Sequence, residues 1–230
     1  MGDIDGARAG GRTIKSYVLR AGRMSAAQKR SYEELFPRYG IAPVGNVLDY
    51  PRIFGNDNPV TAEVGFGMGI ATAMIAENNP EKNYLGIEVH RPGIGRLLWE
   101  IDKRGLSNIR IIEHDAVDVM TRLIPDSSLA ALHMFFPDPW PKKRHHKRRL
   151  ITRPVTDLLA QKLAAGAYLY MVTDWADYAD WALRELSDTP GLQNRYDGFA
   201  ESQSWRPRTK FEQKGIDKRH EVRELYFVRQ

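Results

Sequence analysis

The stretch FPDPWPKKRHHKRRL, from Phe136 to Leu150, sets one carboxylate and one indole among prolines and follows them with eight consecutive Lys, Arg or His residues. Pro137, Pro139 and Pro141 each fix φ, so Asp138 is offered at a rigid corner rather than on a floppy loop. Transfer of a group between two bound molecules needs such preorganised placement. The run from Lys142 to Arg149 is too dense to be one solvated helix face, and contact with several phosphates accounts for it. The structural alternative is a proline-stiffened loop with a packed Trp140.

A second group of chemical residues lies upstream. EVGFGMGI, Glu63 to Ile70, puts Gly65, Gly67 and Gly69 at alternate positions where a strand meets a helix, and glycines there let the backbone approach a ligand closely. A dinucleotide fingerprint would require a third small residue where Ile70 stands. An acid opening the turn fits S-adenosylmethionine better, because that cofactor carries an ammonium and a sulfonium rather than a pyrophosphate. Glu63 supplies the field, Glu88 in GIEVH is placed to accept both ribose hydroxyls, and Asp115 in EHDA is placed to accept from the adenine amino group. Each has a structural alternative. Glu63 as a solvated loop charge, Glu88 as a partner of Arg91, and Asp115 as a helix cap.

These residues have to be carried to one rim by regular elements. Short apolar runs predict strands at Val60–Gly65, Tyr84–Val89, Ile109–Glu113, Leu129–Phe135 and Tyr168–Thr173. Amphipathic stretches predict helices at Gly69–Asn78, Pro92–Arg104, Val117–Leu123, Pro154–Leu163 and Trp175–Ser187. The alternation is that of an α/β protein with a doubly wound, mostly parallel Rossmann-like sheet. Glu221–Arg229 follows no clear crossover helix and reads as an antiparallel C-terminal edge strand. In such sheets ligands bind beyond the carboxyl ends of the strands, where all four acids fall.

The chain of 230 residues suits one sizeable domain. Residues 1–30, rich in Gly, Arg and Ala without apolar periodicity, read as a flexible basic arm, and 31–230 as the methyltransferase domain. The net charge is +5, and the six Lys and Arg among residues 142–149 exceed it on their own, so the positive charge is local. A concentrated basic patch points to a polyanionic partner. The absence of cysteine excludes disulfides, thiolate metal ligands and a cysteine nucleophile. No apolar run approaches a membrane span, which leads us to expect a cytoplasmic protein. His133, His145 and His146 lack metal-ligand spacing, and no metal is expected.

Taken together and in order, EVGFGMG, GIEVHRPG, FPDPWPKKRHHKRRL, VTDW and RTKFE resemble the bacterial tRNA (guanine-N7-)-methyltransferase family from about Lys15 to the C-terminus. The resemblance implies methylation of guanosine 46 in the tRNA variable loop with S-adenosylmethionine as donor. It implies cofactor contacts at Glu63, Glu88, Asp115 and Asp138, with Asp138 as the catalytic position. It implies substrate contacts at Lys142, Asp174, Thr209, Lys210, Phe211 and Glu212, and RNA binding by Arg144, His145, His146, Lys147, Arg148 and Arg149. Guanine N7 has an exposed lone pair and no proton, so attack on a methyl needs no general base. Carboxylates accepting from the N1–H and amino edge would stabilise the charge that builds up on the ring. Asp174 and Glu212 are the candidates, and Thr209-x-x-Glu212 also matches a capping box. The expected partner is tRNA, with a monomer favoured over a homodimer. The competing readings are an N-methyltransferase for another RNA or a protein, and a tRNA-binding protein without catalysis.

Overall fold

The computed structural model describes Tyr17, residues 22–208, Glu212 and residues 221–230. Helix α1 (Ala26–Tyr39) opens the described body and α2 (Tyr50–Phe54) follows. The chain then alternates through β1 (Val60–Val64), α3 (Ile70–Glu77), β2 (Asn83–Glu88), α4 (Arg91–Arg104), β3 (Ile109–Glu113), α5 (Ala116–Arg122) and β4 (Leu129–Phe135). It continues through α6 (Val155–Lys162), β5 (Leu163–Thr173), α7 (Ala176–Ser187), β6 (Leu192–Asn194) and β7 (Arg223–Arg229). Local chemistry marks the boundaries. Ser25 and Gln28 form a capping box at the start of α1, while α2 and α4 end on left-handed Gly55 and Gly105. The start of α1 at Ala26 shortens the segment read as an arm, most of which lies outside the described residues.

The sheet runs β3-β2-β1-β4-β5-β7-β6. Strand β1 pairs in parallel with both β2 and β4, so the winding reverses between β1 and β4. That reversal opens a crevice at the carboxyl ends of these two strands. The expected antiparallel C-terminal strand is present: β7 pairs with β5 from Tyr168↔Val228 to Thr173↔Arg223. It is not the edge, however, because the short β6 pairs along its other side. Strand period two sends alternate residues to two cores. Val60, Ala62 and Val64 pack with Leu85, Ile87, Met120, Leu159 and Tyr178 on the α5–α7 side. Tyr84, Ile109 and Ile111 pack with Tyr39, Ile75, Leu97 and Ile101 on the side of α1, α3 and α4.

A buried ionic network ties the C-terminal half together. Arg206 donates from Nη1 to Glu212 Oε2 at 2.7 Å and from Nη2 to Glu212 Oε1 at 2.8 Å and Glu224 Oε1 at 2.7 Å. The Tyr170 hydroxyl on β5 donates to the other oxygen of Glu224 on β7. Removing the cation would strand two buried carboxylates, so Arg206→Ala is expected to cost about 3 kcal/mol or more in chemical denaturation. A midpoint and slope equal to those of the parent would show that this network contributes little.

Candidate active site

The glycine turn leaves β1 with φ of +73° at Gly65, +57° at Gly67 and +67° at Gly69, backbone conformations that disfavour any side chain. A Cβ added at Gly65 or Gly67 would meet nothing within 4 Å, so both face open space. The turn is pressed from behind by α4, where a Cβ on Gly93 would sit 1.9 Å from the Gly67 carbonyl oxygen. Glu88, buried at the end of β2, fastens it from the side. Its Oε2 accepts from the Gly67 N–H at 2.9 Å, and its Oε1 accepts from the N–H groups of Val89 at 2.7 Å and His90 at 3.0 Å. Arg91 pairs instead with Glu113, so the Glu88–Arg91 alternative does not hold.

Glu63 is no solvated loop charge. It lies buried within β1, and burial pushes its carboxyl up to about 7, with the Thr72 hydroxyl opposing the rise and the Glu88 charge adding to it. Asp115 caps α5 by accepting from the Asp118 N–H at 3.0 Å, the structural role weighed for it. Its neighbours His114 and Ala116 line the crevice, a cleft of about 300 Å³ that also includes Val64, Gly65, Gly67, Ile87, Glu88 and Asp138.

Asp138 reaches the cleft from the end of β4, and the corner around it is bent more sharply than its prolines alone require. Phe136 and Trp140 both have positive φ, +53° and +46°. Non-glycine residues keep such conformations only where their surroundings over-determine them. The Phe136 N–H donates to the Val172 carbonyl at 2.8 Å, which aligns the ends of β4 and β5. Asp174 leaves β5 at that same end, followed by Trp175, which is exposed.

The basic run divides into two sets. Residues Lys143–Arg148 form a 3-10 helix on which Lys143, Arg144 and Lys147 are exposed, as is Lys142 just before it. Arg148 lies over the Trp140 ring at 5.0 Å, His145 meets that ring edge-on at 5.8 Å, and His146 packs against Trp181. Arg149 is a correction to the sequence reading. Its side chain is buried against protein, where a phosphate cannot reach it. Glu212 also departs from expectation. Both its oxygens accept from the buried Arg206, and it does not line the cleft. Thr209, Lys210 and Phe211 lie outside the described residues. Sequence reasoning missed Tyr17, His90 and His114 in the cleft wall. Tyr17 falls within the span of the family resemblance, but no role was assigned to it.

A glycine turn and an acid-lined cleft at the switch point of a seven-stranded sheet ending in antiparallel strands define the class as a Rossmann-like methyltransferase. The same fold is found in the 16S rRNA methyltransferase KamB, with a TM-score of 0.57 at 18% identity over 81% of this chain and 96% of that one. It is found also in precorrin-6y C5,15-methyltransferase from Geobacter metallireducens, with a TM-score of 0.53 at 12% identity over 76% and 81%. Residues 57–225 match a family profile described as a putative methyltransferase. Sequence similarity narrows the class: the chain belongs to the tRNA (guanine-N(7)-)-methyltransferase family. It is 50% identical to the member from Nitrosospira multiformis over 94% of each chain. It is 48% identical to that from Methylobacillus flagellatus over 95% of this chain and 92% of the other.

A cation bound beside Glu63 would draw its pKa down, so binding would release a proton. Cofactor affinity is therefore expected to rise with pH and level off above about 7, by at most about tenfold per pH unit on the rising limb. Glu63→Gln should abolish that limb. Calorimetry in buffers of different ionisation enthalpy measures the proton release directly, and equal values for parent and variant would exclude Glu63 as its source.

Proposed function

We propose that this chain transfers a methyl group from S-adenosylmethionine to N7 of a guanosine in tRNA, the guanosine being number 46 of the variable loop, and that it acts in the cytoplasm. The observation carrying the reading is Asp138, presented on the wall of the cleft by a corner held between two left-handed non-glycine residues. The family relatives support the substrate. Among the described residues no helix is long and apolar enough to cross a membrane.

S-adenosylmethionine, when bound, supplies a methyl carried on a positively charged sulfur. The cleft suits such a ligand in its open glycine backbone and its carboxylate at Glu88, while Glu63 lies buried in β1 next to the lining residues Val64 and Gly65. In this reading Gly65 and Gly67 admit the ligand's backbone-facing side. Glu88 accepts from the ribose, already held by three amides against any change of rotamer. Asp115 contributes its carboxylate towards the adenine side while capping α5. Guanine N7 attacks with its own lone pair, and no side chain has to remove a proton. Asp138 acts by charge and position, and Asp174 accepts from the guanine edge as positive charge spreads over the ring. Lys142, Lys143, Arg144 and Lys147 meet the phosphates, while His145, His146 and Arg148 shape the surface between them.

The class of reaction is tested by incubating bulk tRNA with labelled cofactor and analysing the nucleosides, with N7-methylguanosine the expected product; cleavage of the labelled tRNA at N7-methylguanosine should map it to position 46, and label in any other nucleoside overturns the assignment. Asp138→Asn keeps the shape of the corner but removes its charge, and a loss of about 3 kcal/mol, roughly a hundredfold in single-turnover rate, is expected. Near-parental turnover in a folded variant would remove Asp138 from the mechanism. The combined change Lys143→Ala, Arg144→Ala and Lys147→Ala should weaken tRNA binding and flatten the slope of log affinity against log salt by about 0.7 per lost contact. Saturating tRNA should restore most of the rate. An unchanged salt slope would mean that these residues only solvate the surface.

A further inference from the structure

Arg149 ends the basic run but is withdrawn from solvent, with 1% of its surface exposed. Its Nε donates to the Pro139 carbonyl at 2.9 Å. Its Nη2 donates to Asp177 in the first turn of α7 and holds that carboxyl below the usual aspartate range. The guanidinium also lies against the rings of Tyr178 and Trp181, with its carbon 5.1 Å from each centroid. The chain just after it is fastened to the same helix. Ile151 N–H donates to the Tyr178 hydroxyl at 3.2 Å, and Trp181 Nε1 donates to the Ile151 carbonyl at 2.7 Å.

We propose that Arg149 is the positioning residue of the reactive corner, fixing Pro139 to α7 and thereby setting where the adjoining Asp138 carboxylate stands against the cleft. The proposal rests on the role given to Asp138 above. Three observations carry it. The residue receiving the guanidinium bond, Pro139, directly follows Asp138 and lies between the strained Phe136 and Trp140, a conformation that needs outside support. Asp138 and Arg149 are both near enough to Tyr178 to act on its hydroxyl, which burial pushes up to about 12. Burying a guanidinium is costly unless its geometry is specific, and a residue that only met phosphate would stay at the surface with Lys143, Arg144 and Lys147. A planar fork can bond a carbonyl and a carboxylate while stacking on two rings, and a lysine ammonium cannot.

The test compares Arg149→Ala, Arg149→Lys and Asp177→Asn with the parent in single-turnover methylation at saturating tRNA and cofactor, alongside tRNA binding at several salt concentrations. Displacing Asp138 by an ångström or so should lower the rate of Arg149→Ala by about ten- to a hundredfold. Its tRNA affinity and salt slope should match the parent's. Arg149→Lys should not restore the rate, and Asp177→Asn, which keeps the Pro139 bond, should fall between. The proposal is overturned if folded Arg149→Ala turns over like the parent, or if its defect is weaker tRNA binding with a flatter salt slope. Should Arg149→Ala fail to fold, Asp177→Asn decides, since Asp177 is exposed: a lowered rate at unchanged tRNA affinity supports the role, and a parental rate overturns it. A parent that labels no tRNA would instead refute the function itself, which keeps the two failures apart.

Discussion

The carboxylate of Glu88 satisfies three backbone amides, one in the glycine turn after β1 and two in the entry to α4. These elements also meet through the packing of Gly93 against Gly67 and of Leu97 against Gly69. Without an acceptor, the turn would present unpaired N–H groups at the edge of a partly buried cleft, at a cost of roughly 1–3 kcal/mol each. With it, the shape of the cleft wall follows from the position of β2. An isolated glycine turn would be adaptable; this one is preorganised, as a site acting on a bound cofactor requires.

Buried charge is used in two different ways across the molecule. Arg206 and Arg149 are cations with assigned carboxylate partners, and they fasten loops to the sheet and to α7. Among the described residues no cation pairs with the buried Glu63, and its carboxyl is pushed up accordingly. Desolvation makes an uncompensated acid receptive to positive charge, because a cation arriving there meets an attraction little weakened by water. The first kind of burial builds the frame, and the second keeps an acid in a desolvated place within β1, next to the cleft residues Val64 and Gly65.

The fold is shared with enzymes that methylate ribosomal RNA and a corrin precursor, so the sheet alone does not choose a substrate. In this chain the connection after β4 carries a rigid corner at Asp138, an exposed basic face at Lys143, Arg144 and Lys147, and a buried arginine that bonds α7.

Much of this was legible in one dimension. Apolar period, glycine turns and prolines set six strands and five helices to within a few residues, with the larger discrepancies at the starts of β5 and β7, because these signals act within a single element and do not need a partner. The acids at the strand ends followed from the same alternation, since a parallel sheet delivers every strand's carboxyl end to one rim. The arm boundary, the three-residue β6 and the short α2 were not legible, for each is too short or too polar to carry a periodic pattern. Nor were the fates of Arg149 and Glu212. A charge run gives composition but not direction, and Arg149 turns inward only because Asp177, Tyr178 and Trp181 arrive on a helix about thirty residues later. Glu212 is claimed by an arginine that also holds Glu224 on a distant strand. Local free energies decide which element forms, and these can be read along the chain. Which buried charge meets which partner is decided by desolvation in three dimensions, and only the packed structure sets that.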